Sequence, residues 1–186
     1  GKILGKGKKE MEKETLFEGK IFTLGRETID GHAWEIIRHP GGVGVLVVRE
    51  GKMLFVKQFR PAVNAVTLEI PAGKLEYGED PLSCGMRELN EETGLECSSM
   101  TLLQKFWSTP GFCDETLYIY QAHDPKPAAV HLPPDPDEDI ELVWMSLKDA
   151  LAMAGRNEIC DAKSLIALYL AVLQTHQIGL LVRFPA

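Results

Sequence analysis

Three glutamates crowd together near the middle of the sequence, at Glu88, Glu91 and Glu92. Residues three or four positions apart share one side of an α-helix, so a helix here would place the three carboxylates within an arc of about 100°. No lysine is interleaved among them, and each like-charge pair at this spacing costs about 0.2–0.5 kcal/mol. A hard divalent cation relieves that repulsion, because Mg²⁺ prefers oxygen ligands and keeps waters for substrate phosphates. The alternative interpretation is an ordinary solvated acidic face.

The stretch from Asp80 to Gly94 carries the start and stop signals of a helix. Asp80 is a suitable N-cap, Pro81 suits the first turn, and Gly94 suits the residue after the last turn. These signals predict a helix over Pro81–Thr93. Its apolar residues form a separate stripe, made of Leu82, Met86 and Leu89. One face of the helix is therefore expected to pack against a core, while the other presents the carboxylates.

Apolar runs rich in β-branched and aromatic residues recur along the chain between turn signals. They predict strands at Leu16–Leu24, Trp34–Arg38, Val43–Val48, Met53–Phe59, Met100–Trp107, Thr116–Gln121 and Ile140–Met145. Further helices are predicted at Leu147–Ala154 and Ala162–Thr175. Many strands with few, scattered helices predict an α+β fold, or a mixed sheet between helices. The proline-rich acidic run from Asp124 to Asp139 is expected to be a long surface loop.

Composition limits the classes of protein to which the chain can belong. Its 186 residues, 45% apolar and 25% charged, describe one globular domain with a sizeable core. The net charge of −7 argues against a nucleic-acid partner, because a phosphate-backbone binder normally carries a basic stripe. No apolar run approaches the roughly 18 residues of a spanning helix, so no membrane partner is expected. Four cysteines without a C-x-x-C pair predict reduced thiols and a cytoplasmic location.

The glutamate stretch resembles the Nudix box, G-x5-E-x7-R-E-U-x-E-E-x-G-U, in which U is a bulky aliphatic residue. The specified positions are all matched, by Gly73, Glu79, Arg87, Glu88, Leu89, Glu91, Glu92, Gly94 and Leu95. At roughly 6% per specified residue, such a match arises by chance on the order of once in a billion starting points. The resemblance implies a Nudix hydrolase, with an α/β/α sandwich around a mixed β-sheet, that cleaves a nucleoside diphosphate linked to another group.

Segments outside the box narrow the resemblance to the ADP-ribose pyrophosphatase subfamily. Pro110 lies sixteen residues after Gly94, where this subfamily has a marker proline, and it belongs to the similar segment Ser108–Glu115. The segments Gln58–Pro61 and Leu68–Gly73 are also similar. The resemblance implies hydrolysis of ADP-ribose to AMP and ribose 5-phosphate, with Mg²⁺ or Mn²⁺ as cofactor. Hydrolysis of another nucleoside diphosphate sugar or of a dinucleoside polyphosphate stays open, as does a module that senses ADP-ribose without cleaving it.

The resemblance also implies roles for residues in and near the box. The implied metal ligands are Glu88, Glu91, Glu92 and the backbone carbonyl of Ala72. The implied catalytic residues are Glu91, Glu92, Glu138 and Arg87. Glu91 either ligates a metal or orients the attacking water, and Glu138 is either a mobile general base or part of a solvated charge run. Arg87 has a structural alternative, which is to pair with a glutamate such as Glu79.

Candidate substrate-binding residues lie mostly outside the helix. Arg60 presents a fork of donors that suits diphosphate oxygens, although a plain surface arginine is the alternative. Trp34, beside Glu35 in an early strand, would stack on adenine or else belong to a core or interface. The other candidates are Glu35, Glu76, Glu79, Gly111 and Glu115. Relatives often carry arginine where this chain has Ala33, so purine recognition is expected to differ in detail.

Three segments are expected along the chain. Residues 1–14 are expected to be a disordered leader or a tag remnant. Residues 15–40 are expected to hold N-terminal strands, and the subfamily resemblance implies that these strands are exchanged within a homodimer. Residues 41–186 are expected to form the Nudix hydrolase domain.

Overall fold

The structure, a computed structural model, describes residues 12–133 and 140–175. The strands are β1 (Glu12–Glu18), β2 (Thr23–Ile29), β3 (His32–Arg38), β4 (Gly42–Leu46), β5 (Val48–Arg49), β6 (Lys52–Arg60), β7 (Ala65–Glu69), β8 (Ala72–Lys74), β9 (Leu95–Glu96), β10 (Ser99–Trp107), β11 (Thr116–His123), β12 (Lys126–Pro127) and β13 (Glu141–Ser146). The helices are α1 (Pro81–Thr93), α2 (Leu147–Gly155) and α3 (Ala162–Thr175), and a 3₁₀ turn spans Pro61–Val63. No helix in these ranges is long and apolar enough to cross a membrane.

The chain divides into two compact units. Among the described residues, the first unit consists of residues 12–41 and 107–116, and it contains the antiparallel sheet β1–β2–β3. The single strand expected over Leu16–Leu24 is wrong, because the backbone turns there and the Gly19 N–H donates to the Phe22 carbonyl at 2.9 Å. Strands β1 and β2 lie on either side of this turn. Of the expected leader, residues 1–11 lie outside the described ranges, and the last three residues belong to β1. The domain boundaries expected from the sequence stay predictions.

The second unit is built around two sheets. In the sheet of order β10–β11–β4–β8, strand β4 pairs parallel with β11 and antiparallel with β8, so the predicted mixed sheet is confirmed. In the other sheet, β6 pairs antiparallel with β13, β5 and β7. The Val45 N–H donates to the Pro71 carbonyl at 2.7 Å, and this bond holds the chain before β8 against β4.

Helices cover both faces of these sheets. Met53 and Phe55 of β6 join a buried cluster with α2 and α3, whereas Leu54 between them joins a second cluster with α1. This alternation follows from the two-residue period of a strand. From the helices, the first cluster takes Ala150, Ala154, Ala167, Leu168 and Ala171, and the second takes Cys84 and Leu89. The predicted α/β/α sandwich is therefore confirmed.

Helix α1 has the bounds that its local signals predict. The Asp80 side chain accepts from the Ser83 N–H at 2.9 Å, which caps the first turn. Gly94 ends the helix at a φ of 66°, a left-handed conformation that favours glycine. The expected apolar stripe is wrong at one position, because Leu82 is 38% exposed. Cys84 is buried in the core instead.

Candidate active site

The carboxylate of Glu88 lies directly against strand β8. A Cβ atom at Gly73 would be only 1.8 Å from the Glu88 Cδ atom, so glycine alone leaves room for this side chain. Glu88 is 8% exposed. The first glycine of the box is thus explained by close approach of a carboxylate to the backbone.

Glu92 reaches the same strand from the next turn of α1. The Ala72 N–H donates to Glu92 Oε2 at 2.8 Å, and Glu92 is 6% exposed. Burial of a carboxylate costs free energy unless hydrogen bonds or a cation compensate it. Strand β8 and helix α1 therefore bring together three of the predicted ligands, Ala72, Glu88 and Glu92, at one place in the fold.

Arg87 lies among three carboxylates. Its Nε and Nη2 atoms donate to the two oxygens of Glu79 at 3.1 and 3.2 Å, so the predicted Arg87–Glu79 pair is confirmed. Its Nη1 atom donates to Glu88 Oε1 at 2.7 Å and to Glu91 Oε2 at 2.8 Å. The guanidinium holds the Glu88 and Glu91 carboxylates close to one shared nitrogen.

The charges around Arg87 shift the pKa values of neighbouring groups. The hydrogen bond from Arg87 lowers the pKa of Glu79 and outweighs burial. Burial lowers the pKa of Arg87, but the hydrogen bond to Glu79 and the charge of Glu88 outweigh this effect. The pKa of Arg87 is therefore raised overall. Burial and the charges of Glu79 and Glu88 raise the pKa of the Cys84 thiol to about 12.

The donor set on α1 fits a hard divalent cation. Glu88, Glu91 and Glu92 supply carboxylate oxygens, the ligands that Mg²⁺ and Mn²⁺ prefer. Across the described ranges, no group of three or more carboxylate, histidine or cysteine side chains is arranged so that it could hold a metal ion. Mg²⁺ does not require such a group, because it keeps several waters and binds through one or two carboxylates. Arg87 Nη1 engages one oxygen of Glu88 and one oxygen of Glu91, which brings these two carboxylates close together.

The loop between β8 and α1 is tied down by Glu79. Glu79 Oε2 accepts from the Glu76 N–H at 2.9 Å while the same carboxylate pairs with Arg87. Gly78, between them, has a φ of 83°, which favours glycine. Glu76 is exposed, and only its backbone N–H takes part in this hydrogen bond. Both predicted loop glutamates are therefore joined to the helix that carries the candidate metal ligands.

Arg60 forms a bidentate pair with Glu69 at the end of β6. Arg60 Nε donates to Glu69 Oε1 at 2.7 Å, and Arg60 Nη2 donates to Glu69 Oε2 at 2.8 Å. The Glu69 side chain is 3% exposed, whereas that of Arg60 is 43% exposed. The hydrogen bond to Glu69 raises the pKa of Arg60 against burial, and the charge of Glu92 adds to this effect. Arg60 is therefore half-exposed and within the electrostatic field of the candidate metal site.

Four further predicted residues, Trp34, Glu35, Gly111 and Glu115, lie in the first unit. Trp34 and Gly111 line one pocket together with Arg38, Trp107, Phe112 and Asp114. Trp34 is 51% exposed and Trp107 is 65% exposed, so aromatic surface is open to a planar ligand. Glu35 pairs weakly with Arg26 at 3.9 Å, and Glu115 lies 3.4 Å from His39 Nδ1.

Sequence reasoning missed the charged residues of this pocket, Arg38 and Asp114, and the partner of Arg60. Arg38 donates to Asp114 at 3.1 Å and to the buried Glu27 at 2.5 Å. Glu69 lies within the Leu68–Gly73 segment that carries part of the family resemblance, so that segment was the available signal. Glu138 lies outside the described residues, and its role stays a prediction.

Comparisons with known proteins agree with the Nudix resemblance. A family model described as NUDIX domain matches residues 38–167. The chain is 40% identical over 166 residues to the ADP-ribose pyrophosphatase of Bacillus subtilis (strain 168), covering 86% of this chain and 90% of that protein. It is 38% identical over 174 residues to the methanol dehydrogenase activator of Bacillus methanolicus, covering 89% and 93%.

Two further similarities extend this result. The chain is 31% identical over 160 residues to the ADP-ribose pyrophosphatase of Mycobacterium tuberculosis (strain ATCC 25618 / H37Rv), covering 80% of this chain and 75% of that protein. A crystal structure described as an ADP compounds hydrolase matches the fold with a TM-score of 0.75 at 19% identity. That match covers 93% of this chain and 99% of the other.

Proposed function

This chain belongs to the Nudix family, and we propose that it hydrolyses the pyrophosphate bond of ADP-ribose to give AMP and ribose 5-phosphate. The observation that carries the proposal is the placement of Glu88 and Glu92 against β8, with Arg87 turning Glu88 and Glu91 toward one point. The names of the relatives from Bacillus subtilis and Mycobacterium tuberculosis support ADP-ribose as the substrate.

Glu88, Glu91, Glu92 and the Ala72 carbonyl would hold the metal ions. Bound Mg²⁺ or Mn²⁺ supplies charge neutralisation on the diphosphate oxygens and lowers the pKa of water. Arg87 keeps the Glu88 and Glu91 carboxylates in register for that task. Glu138 stays the predicted general base.

The substrate contacts follow from the exposed donors and aromatic rings. Arg60 gives two of its five N–H donors to Glu69, so three are left for the diphosphate oxygens. Trp34 is proposed to stack on the adenine, as its exposed ring permits. The substrate roles expected of Glu35, Glu76, Glu79, Gly111 and Glu115 stay predictions.

A homodimer is part of the same proposal. Every residue of β1 is exposed in the single chain, including the apolar Leu16 and Phe17. A long, exposed strand with apolar side chains is a surface that proteins normally cover by pairing. Strand exchange within a homodimer would cover it. A cytoplasmic location also stays a prediction, supported by four free cysteines, and the net charge of −7 continues to disfavour nucleic acid.

A panel of substrates with Mg²⁺ tests the proposal. The panel contains ADP-ribose, GDP-mannose and a dinucleoside polyphosphate, because related proteins include GDP-mannose pyrophosphatases. We expect the highest kcat/KM for ADP-ribose, with AMP and ribose 5-phosphate as products. A higher kcat/KM for another substrate would contradict the assignment to the ADP-ribose pyrophosphatase subfamily. Tight binding of ADP-ribose without turnover would favour a module that senses ADP-ribose. A separate assay adds the protein to a methanol dehydrogenase and measures the rate of that enzyme, since one relative is a methanol dehydrogenase activator.

A further inference from the structure

We propose that Glu69 and Lys163 position Arg60 for the substrate diphosphate, through a hydrogen-bond network that begins in the first turn of α3. The inference rests on the proposed function, because Arg60 is taken to contact the diphosphate. Glu69 and Lys163 act through Arg60 and are therefore positioning residues.

The Glu69 carboxylate is fixed by four donors, two on each oxygen. Oε1 accepts from Arg60 Nε at 2.7 Å and from the Thr67 hydroxyl at 2.7 Å. Oε2 accepts from Arg60 Nη2 at 2.8 Å and from Lys163 Nζ at 2.5 Å. A carboxylate with this many donors has one stable orientation, and its plane sets the plane of the paired guanidinium.

Lys163 connects this carboxylate to the start of α3. Its Nζ atom also donates to Asp161 Oδ1 at 2.9 Å. Asp161 Oδ2 accepts from the Ser164 N–H at 3.0 Å and from the Ser164 hydroxyl. The Ser164 hydroxyl oxygen in turn accepts from the Ile70 N–H at 2.8 Å, and Ser164 is fully buried. The network therefore holds both Glu69 and the residue that follows it.

The same network reaches the candidate metal site through the backbone. Ile70 precedes Ala72 by two residues, and the Ala72 N–H holds the Glu92 carboxylate. The first turn of α3 thus holds the chain at Glu69 and Ile70, just before Ala72. Through Glu69, it also holds the Arg60 side chain. An ion-paired arginine held in this way loses little further rotamer entropy when it binds an anion. The exposed edge of Arg60 is ready to receive one.

A double-mutant cycle separates positioning from general stabilisation. The variants are Arg60→Ala, Glu69→Gln and the two combined, with Lys163→Met as a second route to the same defect. Glu158→Gln is the matched control, because Arg156 and Glu158 form a bidentate pair of the same kind at 2.7 and 3.0 Å on the exposed surface. Two readouts are taken for each protein, kcat and KM for ADP-ribose and the Kd of ADP by calorimetry.

We expect Arg60→Ala to lower kcat/KM by about 10–100-fold, the effect of losing charged hydrogen bonds to the substrate. Glu69→Gln should lower kcat/KM by about 10-fold, and the loss should be divided between kcat and KM in the same proportion as in Arg60→Ala. The combined variant should be no worse than Arg60→Ala alone, because Glu69 acts only through Arg60. Lys163→Met should show a smaller loss of the same pattern, and Glu158→Gln should match the unchanged protein.

Multiplicative losses in the combined variant, or an unchanged Glu69→Gln enzyme, would overturn the positioning role. A protein that binds ADP but does not hydrolyse ADP-ribose would remove the proposed function, while the cycle in Kd would still test Glu69 and Lys163. Failure of Arg60→Ala to change either readout would overturn the inference and leave the proposed hydrolysis standing. If Glu69→Gln does not fold, the cycle is repeated with Lys163→Met in place of Glu69→Gln, alone and combined with Arg60→Ala.

Discussion

The Ala72 N–H donates a hydrogen bond of 2.8 Å to Glu92 Oε2, and this bond joins strand β8 to the helix that carries the crowded glutamates. Because Glu92 is 6% exposed, its charge is held by the protein rather than by bulk water.

Substitution of Glu92 by glutamine should strongly reduce hydrolysis and spare the fold. The amide oxygen still accepts from Ala72 N–H, but the charge that binds a divalent cation is lost. We expect kcat to fall by about 100–1000-fold. Steady-state kinetics and thermal unfolding measure the two effects. A Glu92→Gln enzyme with unchanged rate would remove the metal role assigned to this residue.

Substitution of Gly73 by alanine should displace Glu88. The added Cβ atom would lie 1.8 Å from the Glu88 Cδ atom, so the carboxylate must leave its position. We expect activity to fall by at least about 100-fold, together with a loss of about 1–3 kcal/mol in the free energy of unfolding. Gly155→Ala is the control, since nothing lies within 4 Å of a Cβ atom there. Equal effects of the two variants would contradict the account of Gly73.

Substitution of Arg87 by lysine should weaken metal affinity more than it weakens the fold. A lysine ammonium cannot bridge Glu79, Glu88 and Glu91 with the fork that the guanidinium uses. We expect the Mg²⁺ concentration for half-maximal activity to rise by about 10-fold, the range found when outer-shell partners are lost. A Mg²⁺ titration of activity measures this shift. Restoration of the full rate at the Mg²⁺ level used for the unchanged enzyme would argue against it.

Acid should destabilise the protein partly through Glu69. Burial raises the pKa of Glu69, but the hydrogen bond from Arg60 and the charge of Lys163 outweigh it and lower the pKa from 4.5 to about 2. A carboxylate with a lowered folded-state pKa contributes stability above its unfolded pKa, and this contribution is lost as the pH falls from about 4.5 toward 2.

Urea unfolding at pH 7, 4.5 and 3 tests this dependence, with Glu69→Gln as the comparison. The unchanged protein should lose more stability over this range than the variant, because the variant has no carboxylate to protonate. Parallel pH profiles for the two proteins would show that Glu69 does not contribute.

Local signals in the sequence were enough to predict helix α1 and its acidic face. Asp80, Pro81 and Gly94 act within a few residues of themselves, so the bounds Pro81–Thr93 follow without knowledge of the rest of the fold. The α/β/α sandwich and the family could also be predicted, because the box specifies residues at fixed spacing.

The missed parts of the fold are short or depend on distant contacts. Strand β8 has three residues, Ala72–Lys74, which is too short for a hydrophobic period, and the turn at Gly19 lies inside an apolar run. The Glu69–Lys163 pair joins residues 94 positions apart, so no local pattern announces it. Arg60 was predicted as a substrate contact, but its buried partner becomes visible only when β6, β7 and α3 are packed together.

Calorimetric titration of the protein with Mg²⁺, with and without ADP, tests the central claim most directly. The account predicts that Mg²⁺ binds to the unchanged protein and that this binding is lost in Glu92→Gln but retained in Glu158→Gln. No Mg²⁺ or Mn²⁺ binding to the unchanged protein, with or without the nucleotide, would contradict the claim that these glutamates form a metal-dependent active site.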